Sequence, residues 1–242
     1  IIGHDAAASA VDVSNEITLG DTNVTKFRVP GLNFIVKDST ATEDYVLTVD
    51  ASGEAGWEAA GGGGATDIND LSDGVTNSSG GTVGLGTDAL ANDDGSANKN
   101  TALGFKAGED TTTGAGNVFL GNQAGKDRTT GSFSVYIGEQ AGALSTTGNS
   151  NTVIGYSANN GAASTGYDNT FMGKEAGYDI TSGNNNSFFG VSAGKGATTA
   201  TYTAAFGVST FGGGALTGAG NIGIGQNSGY NITSAANTIA IG

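Results

Sequence analysis

The chain has 242 residues with a formal net charge of −14, no cysteine, one proline and 44 glycines. Hydrophobic residues make up only 37%, which argues against one large globular core, and the abundance of Gly, Thr, Ser and Asn disfavours helices. Cysteine content excludes a disulfide framework, no stretch reaches the roughly 20 apolar residues of a membrane span, and glycine does not recur every third residue as collagen requires.

Charge falls unevenly along the chain. Residues 1–80 hold 13 acids against three bases, and residues 81–242 hold 10 against six. No basic stripe is present to meet phosphates, so nucleic acid is excluded as a partner and the acidity reads as solubility.

In chain order, Ile2-Gly3 and Leu19-Gly20 lie 17 residues apart, so residues 1–23 read as the end of a preceding β-roll repeat. Residues 24–60 alternate through Val24, Phe27, Val29, Leu32, Phe34 and Val36, then Tyr45, Leu47 and Val49. With turn signals at Pro30-Gly31 and Ala51-Ser52-Gly53, this predicts a small antiparallel β module ending near Trp57. Residues 61–79 are expected to form a Gly-rich hinge (Gly61 to Gly64) and a polar connector, "ATDINDLSDG" at 65–74.

Residues 80–242 are a repeat domain. A glycine preceded by a large apolar residue recurs at Gly86, Gly104, Gly121, Gly138, Gly155, Gly173, Gly190, Gly207, Gly225 and Gly242, always 17 or 18 residues apart. That regularity predicts a solenoid with one coil per repeat. A second glycine often follows four residues later (Gly108, Gly125, Gly142, Gly177, Gly194, Gly229) and a third after ten or eleven (Gly114, Gly131, Gly148, Gly166, Gly183, Gly218). Asn stands four before the marker at Asn100, Asn117, Asn151, Asn169, Asn186 and Asn221. Both residue types tolerate positive φ, so these positions are expected at corners, with short strands between them.

Alternation along a strand assigns two columns to opposite faces. The residue before the marker is always large and apolar: Leu85, Leu103, Leu120, Ile137, Ile154, Met172, Phe189, Phe206, Ile224 and Ile241. It is expected to fill the inside, with Ile154→Asp doing the most local damage. One residue earlier, Phe119, Tyr136, Val153, Phe171 and Phe188 are then expected to face outward and form a self-association interface. A surface ladder for stacking on sugar rings is the rival expectation for this column.

The strings "NTVIG" and "NTIAIG" resemble repeats in the β-roll heads of trimeric autotransporter adhesins, over residues 1–20 and about 80–242. "NEITLGDTNVTKFRVPGLNFIVKD" (15–38), "YVLTVDASGEAGWEAAGGGG" (45–64) and "ATDINDLSDG" resemble segments of bacteriophage tail fibres. The resemblance implies a homotrimeric, fibrous assembly of all-β solenoid chains. It further implies a virion location, outside the cell, with other tail or fibre proteins and a host-surface glycan or receptor as partners.

Catalytic chemistry has little to work with. The single histidine, His4, reads as a solvated turn residue. Asp93-Asp94-Gly95, and Asp67, Asp70 and Asp73, lack the ligand spacing of a calcium loop. The G-x-G-x-x-G string at 218–223 falls inside the repeat and reads as coil corners. Four N-x-S/T sequons stand at Asn23, Asn77, Asn185 and Asn231. No enzyme activity, cofactor, metal or membrane insertion is expected. The expected function is a rigid trimeric shaft of a phage tail or appendage that supports host attachment. The alternatives are a bacterial adhesin passenger and a repeat protein that binds sugar or ice directly, the last suggested by Thr112-Thr113, Thr129-Thr130 and Thr146-Thr147. Ile1-Ile2-Gly3 and Ile239-Ala240-Ile241-Gly242 cut through the repeat, which predicts more protein on both sides.

Overall fold

A computed structural model of the chain describes residues 45–49, 55–59, 74–77, 81–96 and 98–242. The expectations for residues 1–23, the turns at 30–31 and 51–53, the hinge, His4 and the Asp67, Asp70 and Asp73 set lie outside the described residues. The chain divides into two units, Ile1–Gly61 and Gly62–Gly242. In the first, β1 (Tyr45–Val49) pairs antiparallel with β2 (Ala55–Ala59), with Tyr45 opposite Ala59 and Val49 opposite Ala55.

The second unit is a parallel β-solenoid of about nine coils, and the described residues contain no helix. Its strands are β4 (Thr82–Leu85), β5 (Thr101–Leu103), β6 (Val118–Leu120), β7 (Val135–Ile137), β8 (Thr152–Ile154), β9 (Thr170–Met172), β10 (Ser187–Phe189), β11 (Ala204–Phe206), β12 (Ile222–Ile224) and β13 (Ile239–Ile241). Each pairs in parallel with the next, one coil on, so that Phe119 sits beside Tyr136 and Phe171 beside Phe188. β3 (Gly74–Asn77) pairs antiparallel with β4 and covers that edge of the sheet. The expected polar connector therefore ends in a capping strand.

Which face points inward reverses the expectation. Phe119, Tyr136, Val153, Phe171 and Phe188 are completely buried within the single chain. Phe119 stacks on Tyr136 with ring centroids 5.8 Å apart, and Phe171 on Phe188 at 5.1 Å. They form the core, not an interface. The opposite wall is the residue three after each marker, buried as alanine at Ala89, Ala107, Ala124, Ala141, Ala158, Ala176 and Ala193 and as Thr210 and Ser228 in the last two coils.

The interior is narrow, with room for about one large side chain per coil. Where the inward strand residue is Phe119, Tyr136, Phe171 or Phe188, the position four after the marker is Gly125, Gly142, Gly177 or Gly194. Where the strand residue shrinks to Gly84 or Ala205, that position becomes Leu90 or Phe211, and both are buried. Gly142 shows the constraint: its φ is +57°, and a Cβ there would run into the Tyr136 ring. Gly142→Ala is expected to cost about 2–4 kcal/mol from left-handed strain plus overpacking, read as a lower melting temperature by circular dichroism.

The asparagines are not corners either. Asn100, Asn117, Asn151, Asn169, Asn186 and Asn221 are buried, and none has positive φ. Left-handed residues stand one position earlier instead, as at Lys99, Phe133, Ser150 and Asp168. Each Asn side chain links coils. Asn169 Oδ1 accepts from Asn186 N at 3.0 Å while its Nδ2 donates to Gly183 O at 2.9 Å. The same pair of bonds recurs at Asn117, with Ser134 N and Gly131 O. Burying an amide is tolerated because all of these groups find partners. The third glycines are not left-handed; a Cβ at Gly148 would press into the carbonyl of Gly166 on the next coil.

Candidate self-association face

The residues expected inside the coil lie on the outer face of the sheet. Leu103 is 47% exposed, Leu120 41%, Met172 42%, Phe206 43%, Ile224 47% and Ile241 76%, and Leu85, Ile137, Ile154 and Phe189 are half-buried. Ile154→Asp therefore touches the outer face and not the core. Two residues earlier in each strand, a parallel row runs Val83, Thr101, Val118, Val135, Thr152, Thr170, Ser187, Ala204, Ile222 and Ile239. Neither row contains a charged residue.

Parallel pairing in register holds both rows straight. At about 4.8 Å per strand the two rows run roughly 43 Å over a width of about 7 Å, and the flanking row beyond them carries the charges Glu139 and Lys174. Phe105, Tyr156, Val191 and Val208 in that flanking row, one residue after the marker, are exposed as well. Phe189 and Phe206 stack on the outside with centroids 5.2 Å apart and planes 2° from parallel. The two uncharged rows together cover about 300 Å², within the range of the largest apolar patches on monomers.

Other side chains make polar contacts between coils. Thr112 Oγ1 donates to Thr129 O at 3.2 Å, and Thr181 Oγ1 to Thr198 O at 3.1 Å. The threonine column thus continues past Thr147, and the hydroxyls of Thr112, Thr146 and Thr181 stitch coils together. Asp93 and Asp94 fold into a turn, with Asp94 Oδ1 accepting from Ser96 N at 2.9 Å. Hydrogen bonds from Ser96 hold the Asp94 carboxyl below the usual carboxylate range. Among the described residues no cluster of three His, Cys, Asp or Glu could hold a metal. The 218–223 string is a coil corner leading into β12, with Gly220 at φ +72°.

Sequence reasoning missed Arg128. It is completely buried, and the ion pairs found among the described residues do not include it. Its column neighbour one coil back is Thr111, also buried. Nε donates to Gly131 O at 3.1 Å, Nη1 to Tyr136 Oη at 2.6 Å and Nη2 to both Ser134 Oγ and Gly148 O. The guanidinium carbon lies 5.2 Å from the Tyr136 ring centroid. Burial pulls its pKa below the ordinary arginine value. The reason for its presence is local: Ser134 occupies an Asn position of the ladder and is too short to reach Gly148 O. Arg128 supplies that missing hydrogen bond. The signal was Ser134 in the Asn column, six residues after the last member of a lysine–aspartate–arginine run that no other coil carries; Thr82, Thr203 and Thr238 interrupt the column as well.

Comparison of the chain with family models, curated proteins and solved structures finds no match, so its functional reading rests on the charge-free strip along the outer face of the sheet.

Proposed function

We propose that this chain is a structural fibre protein of a phage tail or appendage, in which three copies pack through the outer sheet face into a rigid shaft that supports host attachment. One observation carries the reading: two uncharged rows, one of them wholly apolar, run the length of a solenoid whose residues 81–242 hold 10 acids against six bases. Two such acidic chains repel each other unless they meet where no charge lies. A second copy offers a strip of the same length, with the same residue at the same level, so like meets like under cyclic symmetry. The number three, the virion location and the attachment role rest on the resemblance to tail fibres and autotransporter heads. The interface is the Leu120, Met172 and Phe206 row, since the aromatic column once expected there is core.

The test is particle mass by light scattering. Wild type is expected as a trimer that resists detergent without boiling, because coils unfold together with their neighbours across three chains. Phe206→Asp is expected to release monomers, since three carboxylates meeting near one axis oppose ionisation by desolvation and repulsion. Lys126→Asp, at a corner where Lys126 pairs with Asp127 at 2.7 Å, is expected to stay trimeric. A monomeric wild type, or a Phe206→Asp protein of unchanged mass, overturns the proposal.

A further inference from the structure

A second row of exposed rings runs along a different edge of the solenoid, just before the buried Asn ladder. Phe133 is 72% exposed and Tyr202 69% exposed, the highest values among the aromatic residues of the described chain. Both occupy the same position of the coil, five residues before the markers Gly138 and Gly207, four coils apart. Tyr167, 47% exposed, stands midway, two coils from each, one residue earlier in its own coil.

The fold does not ask for rings there. Phe133 has φ +59° and Tyr202 +53°, a left-handed backbone that is unfavourable for bulky L-residues. Other coils fill the same position with Gly116, Gly220, Asn185 and Asn237, which suit that conformation better. A ring at this place is both strained and exposed to water, so packing within the chain gains little from it. The left-handed backbone itself is set by the fold, since Lys99, Ser150 and Asp168 share it at this position; what the fold leaves unexplained is the exposed ring.

Backbone bonds fix the spacing of the row: Phe133 N donates to Ala115 O, Asn185 N to Tyr167 O and Tyr202 N to Asn184 O. Successive rings are therefore two coils apart, about 9.5 Å, close to the length of one disaccharide unit in an extended β-linked polysaccharide. Between them stand Asn149, Ser150, Asn184 and Asn185, short polar side chains suited to sugar hydroxyls. Between Phe133 and Tyr202 the one charge at this position is Asp168, which disfavours an anionic chain.

We infer that Phe133, Tyr167 and Tyr202 form a stacking platform for an extended, uncharged β-linked polysaccharide lying parallel to the solenoid axis. This edge adjoins the self-association strip, two residues away in each coil (Phe133 before Val135, Tyr202 before Ala204), and the inference is argued from the geometry of the single chain.

Titration calorimetry of the full chain with cellohexaose, mannohexaose and chitohexaose tests it, with maltohexaose and glucose as controls. At least one of the three β-linked hexasaccharides is expected to bind, and glucose to bind far more weakly. Phe133→Gly and Tyr202→Gly are each expected to weaken binding about tenfold, as loss of one aromatic stacking partner does for nucleic-acid bases. Their melting temperatures should hold or rise, because glycine relieves the left-handed strain. The inference fails if none of the three β-linked sugars binds, or if the double glycine variant binds as wild type does. It fails equally if that variant melts lower or loses particle mass, since the rings would then be packing within or between chains. Loss of trimer in Phe206→Asp with sugar binding intact leaves the platform standing and bears only on the shaft.

Discussion

Phe171→Asp is expected to abolish the cooperative unfolding transition of the solenoid, whereas Met172→Asp, its neighbour in β9, is expected to leave the coil folded. Phe171 is completely buried and stacked on Phe188, while Met172 is 42% exposed. Truncating a buried Phe costs about 3–5 kcal/mol before any charge is considered. A carboxylate placed there must be desolvated or protonated as well. Together these approach the roughly 5–15 kcal/mol that holds a whole domain. At Met172 the carboxylate stays in water, with an expected stability change of under about 1 kcal/mol. Far-UV circular dichroism with thermal melting separates the two variants, and light scattering then shows assembly lost in Met172→Asp. A folded Phe171→Asp beside an unfolded Met172→Asp would restore the opposite assignment of faces.

Arg128→Met is expected to destabilise the chain by about 2–4 kcal/mol, because it strips donors from buried acceptors that keep no route to water. Gly148 O, Gly131 O, Ser134 Oγ and Tyr136 Oη all accept from the guanidinium. Adding Ser134→Asn is expected to recover a large part of that loss. An Asn at 134 rebuilds the ladder bond to Gly148 O that Asn117 and Asn151 make to Gly131 O and Gly166 O, and its Oδ1 replaces Ser134 Oγ as acceptor for Asn151 N. Melting temperatures of the single and double variants decide the matter. If Ser134→Asn gives no rescue, Arg128 is not completing the ladder.

The period, the coil count and the strand positions were legible in the sequence because the marker glycines recur every 17 or 18 residues. The direction of the two columns was not, because constancy of size was mistaken for interior position. A row that is always large, such as Leu120, Ile137 and Ile154, suits a flat outer face where every copy meets the same environment. The inner row varies instead, and in most coils its variation is matched across the coil, Tyr136 with Gly142 and Ala205 with Phe211, while at Ala102/Gly108 and Gly223/Gly229 the rings of adjacent coils fill the space. That reciprocal change of size is a packing signal, since two positions sharing one volume must trade methylenes. It was present in the sequence. The buried Asn ladder was harder to read, because Asn at a coil bend fits two physical roles and only the hydrogen-bond partners separate them. The capping strand Gly74–Asn77 follows a run of acidic and polar residues, and its pairing with Thr82–Leu85 depends on the solenoid edge beside it.

The Asn bonds and the strand pairings all point along the solenoid axis, from each coil to the next. Tension applied between the two ends of such a stack loads one coil boundary at a time and does not shear many bonds together. Each coil that lets go releases 17 residues, a spacing set by the ladder itself. Fully drawn out they span roughly 58 Å, in exchange for about 4.8 Å of stack height. Under a steady pull the molecule would lengthen in discrete steps, dissipating work at every one. A rod with that response is stiff in bending yet yields by instalments when wrenched, and its coils rewind when the load is removed.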